Sequence, residues 1–337
     1  MPLSSIWRKL VLKMTGNSDK TVTSKGLRTS DLITGLIVVT VWGSNFTVMK
    51  MGVFDMPPML LGAFRYALTA FPAILLIKRP KIEFRYLVAY GLTVGLGQFG
   101  CLFYALKIGM PASIASILLQ TQVFITCILG MYFLNEKMAK IQFIGLLIAV
   151  PGLLLIGSGA IYANTIRIPA FAIFLTLSGA FFWAVSNVVV RFSVARTKKK
   201  KVHLDMLGFI VWSSLIPPVP FFILALIMES PFKVLHSITN LNSFSLFVIF
   251  YNAFLATLFG FGFWSRLLAR YPVAYVAPFS LLVPVTGLLT ARLVLLEHLS
   301  ATQWIGCIFI FCGLAINTAG QSLKKILQKH PERDQHQ

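Results

Sequence analysis

The sequence predicts an all-α polytopic membrane protein, with ten transmembrane helices arranged as two inverted five-helix repeats. Three observations carry that prediction. The first is composition: of 337 residues, 57% are hydrophobic and only 12% charged, with a mean hydropathy of +0.81. A soluble surface needs more charge, and a disordered chain needs less apolar content. The second is a series of ten long stretches poor in Asp, Glu, Lys and Arg. The third is an internal repeat that joins the two halves.

In chain order, the stretches are 32–49, 57–77, 86–106, 108–135, 141–166, 168–190, 206–228, 234–265, 271–291 and 299–323. Most are long enough to cross about 30 Å of hydrocarbon at 1.5 Å per residue. The first is short, and the second is broken by Arg65. None shows the ten-residue alternation of a membrane β-barrel. Residues 1–30 form a basic leader without the apolar core and cleavage site of a signal peptide. Within it, Ile6, Trp7, Leu10, Val11 and Met14 fit one face of a surface helix, and a disordered leader fits equally well. The division is a leader at 1–30, a first repeat at 31–160, a second at 166–323 and a tail at 324–337.

The formal charge of +20 has three candidate meanings: nucleic acid, anionic lipid or topology. Its distribution decides. The leader, the even-numbered loops and the tail hold 24 of the 30 Lys and Arg, and the odd-numbered loops hold 5. Positive charge near span ends marks the cytoplasmic face, so both termini are expected there. The run Lys198–Lys201 lies within this pattern and reads as a topology anchor, so no nucleic-acid partner is expected.

Pro111, Glu136, Gln142, Gly145 and Gly152 recur 161 positions later as Pro272, Glu297, Gln303, Gly306 and Gly313. Val41-Trp42-Gly43-Ser44-Asn45 likewise matches Trp183-Ala184-Val185-Ser186-Asn187. With five spans per half, the second half enters the membrane upside down. Inverted halves can exchange conformations, which is the architecture of secondary transporters with a midplane substrate site.

Trp42-Gly43-Ser44-Asn45-Phe46, Met56-Pro57-Pro58, Phe64-Arg65-Tyr66, Gly109-Met110-Pro111-Ala112 and Leu134-Asn135-Glu136-Lys137 together resemble the EamA family of the drug/metabolite transporter superfamily. The resemblance covers roughly residues 30–320. Met56-Pro57-Pro58, Val211 to Pro217 and Ser280 to Val285 are most similar to the branch that exports cysteine and O-acetylserine. That resemblance implies amino-acid efflux across a bacterial inner membrane. The long leader and the Lys198–Lys201 insertion depart from the branch.

Arg65 is the one charged side chain well inside a predicted span. Burying Arg there costs several kcal/mol or more unless it finds partners. Its planar fork suits a substrate carboxylate, and a structural tie to carbonyls or to Asp55 is the competing reading. Asn45, Gln98, Gln120 and Asn187 are the expected pocket amides, able to donate to a carboxylate and accept from an ammonium. Trp42, Trp183 and Trp212 are expected as pocket walls or packing, and Tyr104 and Trp264 at the membrane interfaces. Gly91 and Gly95 allow close helix approach, and Pro72, Pro217, Pro278 and Pro284 are candidate bends.

Acidic residues flank the predicted spans rather than entering them, which argues against a simple carboxylate proton relay. Cys101, Cys127, Cys307 and Cys312 fall inside spans without metal or haem spacing and read as small hydrophobes. No metal or cofactor is expected, and no Walker-type loop supplies ATP coupling. The expected partners are the lipid bilayer and a small amino-acid-like substrate. Aromatic amino acids or cationic drugs are alternative substrates, and a lipid-modifying membrane enzyme is an alternative class. Oligomeric state is open.

Overall fold

A chain this apolar must satisfy its backbone hydrogen bonds internally, and the helix does so locally. The computed structural model describes residues 28–110, 112–136, 138–163, 168–202, 204–295 and 300–329, and no strand occurs among them. The predicted leader helix, Glu297 and most of the tail lie outside the described residues.

Eleven helical runs follow in order. They are α1 (Thr29–Asp55), α2 (Pro58–Leu76), α3 (Phe84–Lys107), α4 (Ile114–Leu134), α5 (Lys140–Ala163) and α6 (Ala170–Lys199). Then come α7 (Met206–Met228), α8 (Pro231–Thr239), α9 (Ser243–Arg270), α10 (Ala277–Val294) and α11 (Ala301–Lys329). Eight of these are long and apolar enough to cross a membrane, and Lys140–Ile156 and Ala301–Ile316 are shorter apolar stretches.

Several runs are interrupted, and the cause is local. In α2 the helix breaks at Phe71-Pro72, and in α7 at Ser214–Pro217, where proline removes a backbone donor. The middle of α3 (Gly91–Gln98) and of α9 (Tyr251–Phe261) is wound as π-helix. The start of α10 (Ala277–Leu281) is 3-10.

Two boundaries differ from the sequence expectation. The charge-free run 234–265 is not one span. Asn242 caps a new helix by accepting from the Ser245 N–H at 2.7 Å, and α8 is left as a separate element. The helix that covers most of 168–190 begins at Ala170 and continues to Lys199, because charge ends a membrane crossing but not a helix. Trp264 is corrected too. It is 1% exposed within the core, held by a hydrogen bond from its indole to Asn187 rather than by an interface.

Polar ties define the two ends of the bundle. At one end, Asp31 accepts from Arg270 and Tyr271, and Glu83 accepts from Arg196 and Lys200. Glu136 at that end pairs with Arg191 and accepts from the Val273 N–H, while Arg191 also donates to the Leu268 carbonyl. At the other end, Asp55 accepts from Asn242 and Ser245, and Lys107 pairs with Glu229. The start of α1 and the end of α6 therefore share one end, so these two helices run in opposite directions.

The α5–α11 contact shows why small residues sit where they do. A Cβ on Gly152 would lie 2.7 Å from the Gly306 carbonyl oxygen, and one on Gly306 would lie 2.7 Å from that of Gly152. Gly313 meets Gly145 in the same way, so the order is reversed and the pair is antiparallel. Close backbone approach, rather than a driving force from water, brings such helices together in lipid.

Candidate functional site

The polar side chains of the bundle interior fall into two groups: those that are fully hydrogen-bonded and those with an atom left over. Burying a polar atom without a partner costs about 1–3 kcal/mol, so leftovers need a reason.

The satisfied group is centred on Asn187 in α6. Its Nδ2 donates to Gln122 Oε1 (3.2 Å) and Thr126 Oγ1 (3.3 Å), and its Oδ1 accepts from Trp264 Nε1 (3.0 Å). Gln122 Nε2 in turn donates to Ser280 Oγ at 2.6 Å. This network ties α4, α6, α9 and α10, and it engages both Nδ2 hydrogens and the Oδ1 of Asn187. Gln122, Thr126 and Ser280 belong to it as well.

The unsatisfied group is different. Asn45 Oδ1, Gln98 Oε1 and Gln120 Oε1 are buried acceptors without a hydrogen bond, and Arg65 Nη2 and Trp183 Nε1 are buried donors without one. Each of these five residues is among the side chains that the sequence nominates. The Gln120 amide is oriented, because its Nε2 donates to the Ser116 carbonyl at 3.2 Å.

Arg65 is 0% exposed. Its Nε donates to Thr257 Oγ1 at 2.6 Å and its Nη1 to Asn252 Oδ1 at 3.2 Å. Its guanidinium lies 3.7 Å from the Phe99 ring centroid, a cation–π distance. The tie to Asp55 that the sequence left open is not made, since Asp55 is engaged by Asn242 and Ser245 at the end of the bundle. No salt bridge to Arg65 occurs among the described residues.

A chain of aromatic rings links Arg65 to Trp183. Phe99 is 6.1 Å from Phe261, Phe261 is 4.8 Å from Trp42, and Trp42 is 5.4 Å from Trp183 and 5.1 Å from Trp264. Gln98 precedes Phe99, and a Cβ on Gly179 in α6 would lie 3.1 Å from the Gln98 carbonyl and 3.5 Å from Leu119, beside Gln120. Trp42 also donates to the Ala256 carbonyl at 2.9 Å, in the π-helical stretch of α9. Phe99 and Phe261 carry no sequence signal that separates them from the other 27 phenylalanines of the chain's 29.

Trp212 packs against both the main core and a smaller cluster. Its indole donates to the Ile77 carbonyl at 3.0 Å, in that smaller cluster with Ala73, Leu207 and Val211. Tyr104 is half-buried against Phe171. Cys127 and Cys307 are buried, Cys101 is half-buried and Cys312 is exposed. Among the described residues no group of His, Cys, Asp or Glu has the proximity to hold a metal.

Beside Arg65 lies a cavity of about 10 Å³ lined by Tyr66, Tyr90, Ser213, Thr257 and Phe261. That is room for about one water molecule and not for an amino acid.

Comparison with known proteins places this geometry in context. The chain is 38% identical over 298 residues to a probable amino-acid metabolite efflux pump of Escherichia coli (strain K12), covering 88% of this chain and 98% of that protein. It is 39% identical over 290 residues to the protein of the same description in Salmonella typhimurium, covering 86% and 95%. An uncharacterised transporter of Bacillus subtilis (strain 168) is 27% identical over 300 residues, 87% of this chain and 98% of that protein. A solved crystal structure shares the fold with a TM-score of 0.68 at 18% identity, covering 88% of this chain and 99% of that one. The model of the EamA-like transporter family matches twice, at residues 29–158 and 170–319. The chain is therefore a membrane protein of the EamA-like transporter family.

Proposed function

We propose that this protein is a secondary exporter of zwitterionic amino-acid metabolites, working by alternating access in a bacterial inner membrane with both termini cytoplasmic. The observation that carries this reading is the chemistry of the unpaired interior atoms. Arg65 Nη2 and Trp183 Nε1 are donors for a carboxylate, and Asn45 Oδ1, Gln98 Oε1 and Gln120 Oε1 are acceptors for an ammonium group. An α-amino acid presents both. Efflux as the direction is supported by the description of the two enterobacterial relatives. Cysteine and O-acetylserine are the proposed substrates, on the branch-like stretches at Met56-Pro57-Pro58, Val211 to Pro217 and Ser280 to Val285.

Ten crossings in two inverted repeats, 31–160 and 166–323, are part of the same proposal. Local details at repeat-matched positions support it. Gln142 Oε1 accepts from the Ala139 N–H at 2.8 Å, and Gln303 Oε1 accepts from the Ser300 N–H at 2.8 Å, 161 positions later. The two π-helical stretches also fall at nearly the same offset. The opposed directions of α1 and α6 fit halves of opposite orientation.

The test is uptake of labelled cysteine or O-acetylserine into proteoliposomes that hold the purified protein. Faster uptake than into empty vesicles supports the assignment, and equal uptake removes it. A second reading, aromatic amino acids, is favoured by the rings of Trp42, Trp183, Phe99 and Phe261. Labelled phenylalanine in the same vesicles separates the two.

A further inference from the structure

We propose that Asn252 and Thr257 are positioning residues that fix the plane of the Arg65 guanidinium while leaving its charge for the substrate carboxylate. This inference rests on the reading of Arg65 as a carboxylate ligand.

Both contacts of Arg65 come from one element, the π-helical stretch Tyr251–Phe261 of α9. Both acceptors are themselves oriented. Thr257 uses its hydroxyl hydrogen on the Asn252 carbonyl at 2.7 Å, so only its lone pairs face Arg65. Asn252 uses its Nδ2 on the Val248 carbonyl at 2.9 Å, which turns Oδ1 toward Arg65. The π winding makes the pair possible. In an α-helix, positions five apart are rotated by about 500° and face different directions. In a π-helix the hydrogen-bond spacing is i→i+5, so positions 252 and 257 fall near one face.

The acceptors are neutral, and that is the chemically telling point. An aspartate in place of Asn252 would make a stronger hydrogen bond and an ion pair with a desolvated guanidinium. A site built only for stability gains from that exchange. With neutral acceptors, two of the three guanidinium nitrogens are held, the third is unpaired, and the positive charge is not cancelled by any neighbour described. A ligand carboxylate then supplies the counter-charge at Nη2.

The experiment is Asn252→Asp, an isosteric change, in the full-length protein in proteoliposomes, with labelled O-acetylserine as probe. The expected result is a protein that still folds, with the lost donation from Asn252 Nδ2 to the Val248 carbonyl set against the new ion pair, and KM raised about tenfold or more because the charge is already paired. Thr257→Ser is expected to keep the wild-type KM, and Thr257→Val to raise it, since only the hydroxyl is removed. Wild-type KM in Asn252→Asp overturns the proposal. If Asn252→Asp does not fold, the Thr257 pair decides: equal KM in Ser and Val variants overturns it. Arg65→Lys is run in parallel. If its KM is also unchanged, the carboxylate reading itself fails. If Arg65→Lys raises KM and neither Asn252→Asp nor Thr257→Val does, only the positioning proposal fails.

Discussion

Asn45 and Asn187 occupy matched places in the two halves, yet their surroundings are opposite, and replacing each by leucine should separate them. Asn187→Leu removes three hydrogen bonds, to Gln122, Thr126 and Trp264. At about 0.6 kcal/mol each, the average for interhelical bonds in a membrane protein, this is about 2 kcal/mol. The Trp264 indole is then left without an acceptor, which adds roughly 1 kcal/mol. Asn45→Leu removes an oxygen that has no partner, so its stability cost should be near zero or favourable. The assay is an unfolding titration in mixed detergent micelles, with uptake into proteoliposomes measured on the same preparations. Asn187→Leu should lose about 2–3 kcal/mol of stability. Asn45→Leu should fold as wild type and lose uptake. If both variants lose the same stability, or if Asn45→Leu transports normally, the division into a structural network and an unpaired substrate-facing group is wrong.

Other outcomes follow from the same structure. Gly152→Val should destabilise by about 1–3 kcal/mol in the same titration, because its side chain has no space against the Gly306 carbonyl. The Arg196 and Lys200 contacts hold the Glu83 carboxyl below the usual carboxylate range. With the folded value lowered, its stabilisation is present at neutral pH and is lost as pH falls through that value. Glu83→Gln should therefore flatten the acid side of the stability–pH profile, and an unchanged profile would contradict the assignment. A cysteine at Lys199 in inside-out vesicles should react with an impermeant thiol reagent, and one at Asn240 should not. The reverse pattern would invert the topology.

Much of the helical layout is legible in the sequence because the bilayer imposes it. A stretch without charge is where the backbone must close its own hydrogen bonds, and each of the ten stretches contains helix. What such stretches hide is punctuation. The Asn242 cap splits 234–265, since a polar cap carries no charge and a charge-based reading passes over it. The helix through Arg191 to Lys199 is hidden for the converse reason.

Among the polar interior residues, type is legible in the sequence and pairing is not. An amide or an indole inside a span needs a partner, so Asn45, Gln98, Gln120, Asn187 and Trp183 stand out as residues. Which of them finds one depends on neighbours far away in sequence. Asn187 finds Gln122, Thr126 and Trp264, whereas Asn45 Oδ1 finds none. The Trp264 position is the clearest case: tryptophan favours interfaces in general, but its N–H can be satisfied in a core when an amide is opposite. Asn252 and Thr257 are ordinary polar residues until the π winding places both against Arg65.

The most direct test of the proposed zwitterion site is competition in proteoliposomes. Uptake of labelled O-acetylserine is measured against excess unlabelled amino acid, its carboxamide and its decarboxylated amine. If Arg65 holds the carboxylate, the amino acid competes while the carboxamide and the amine, which lack it, do not. Equal competition by all three would contradict the account.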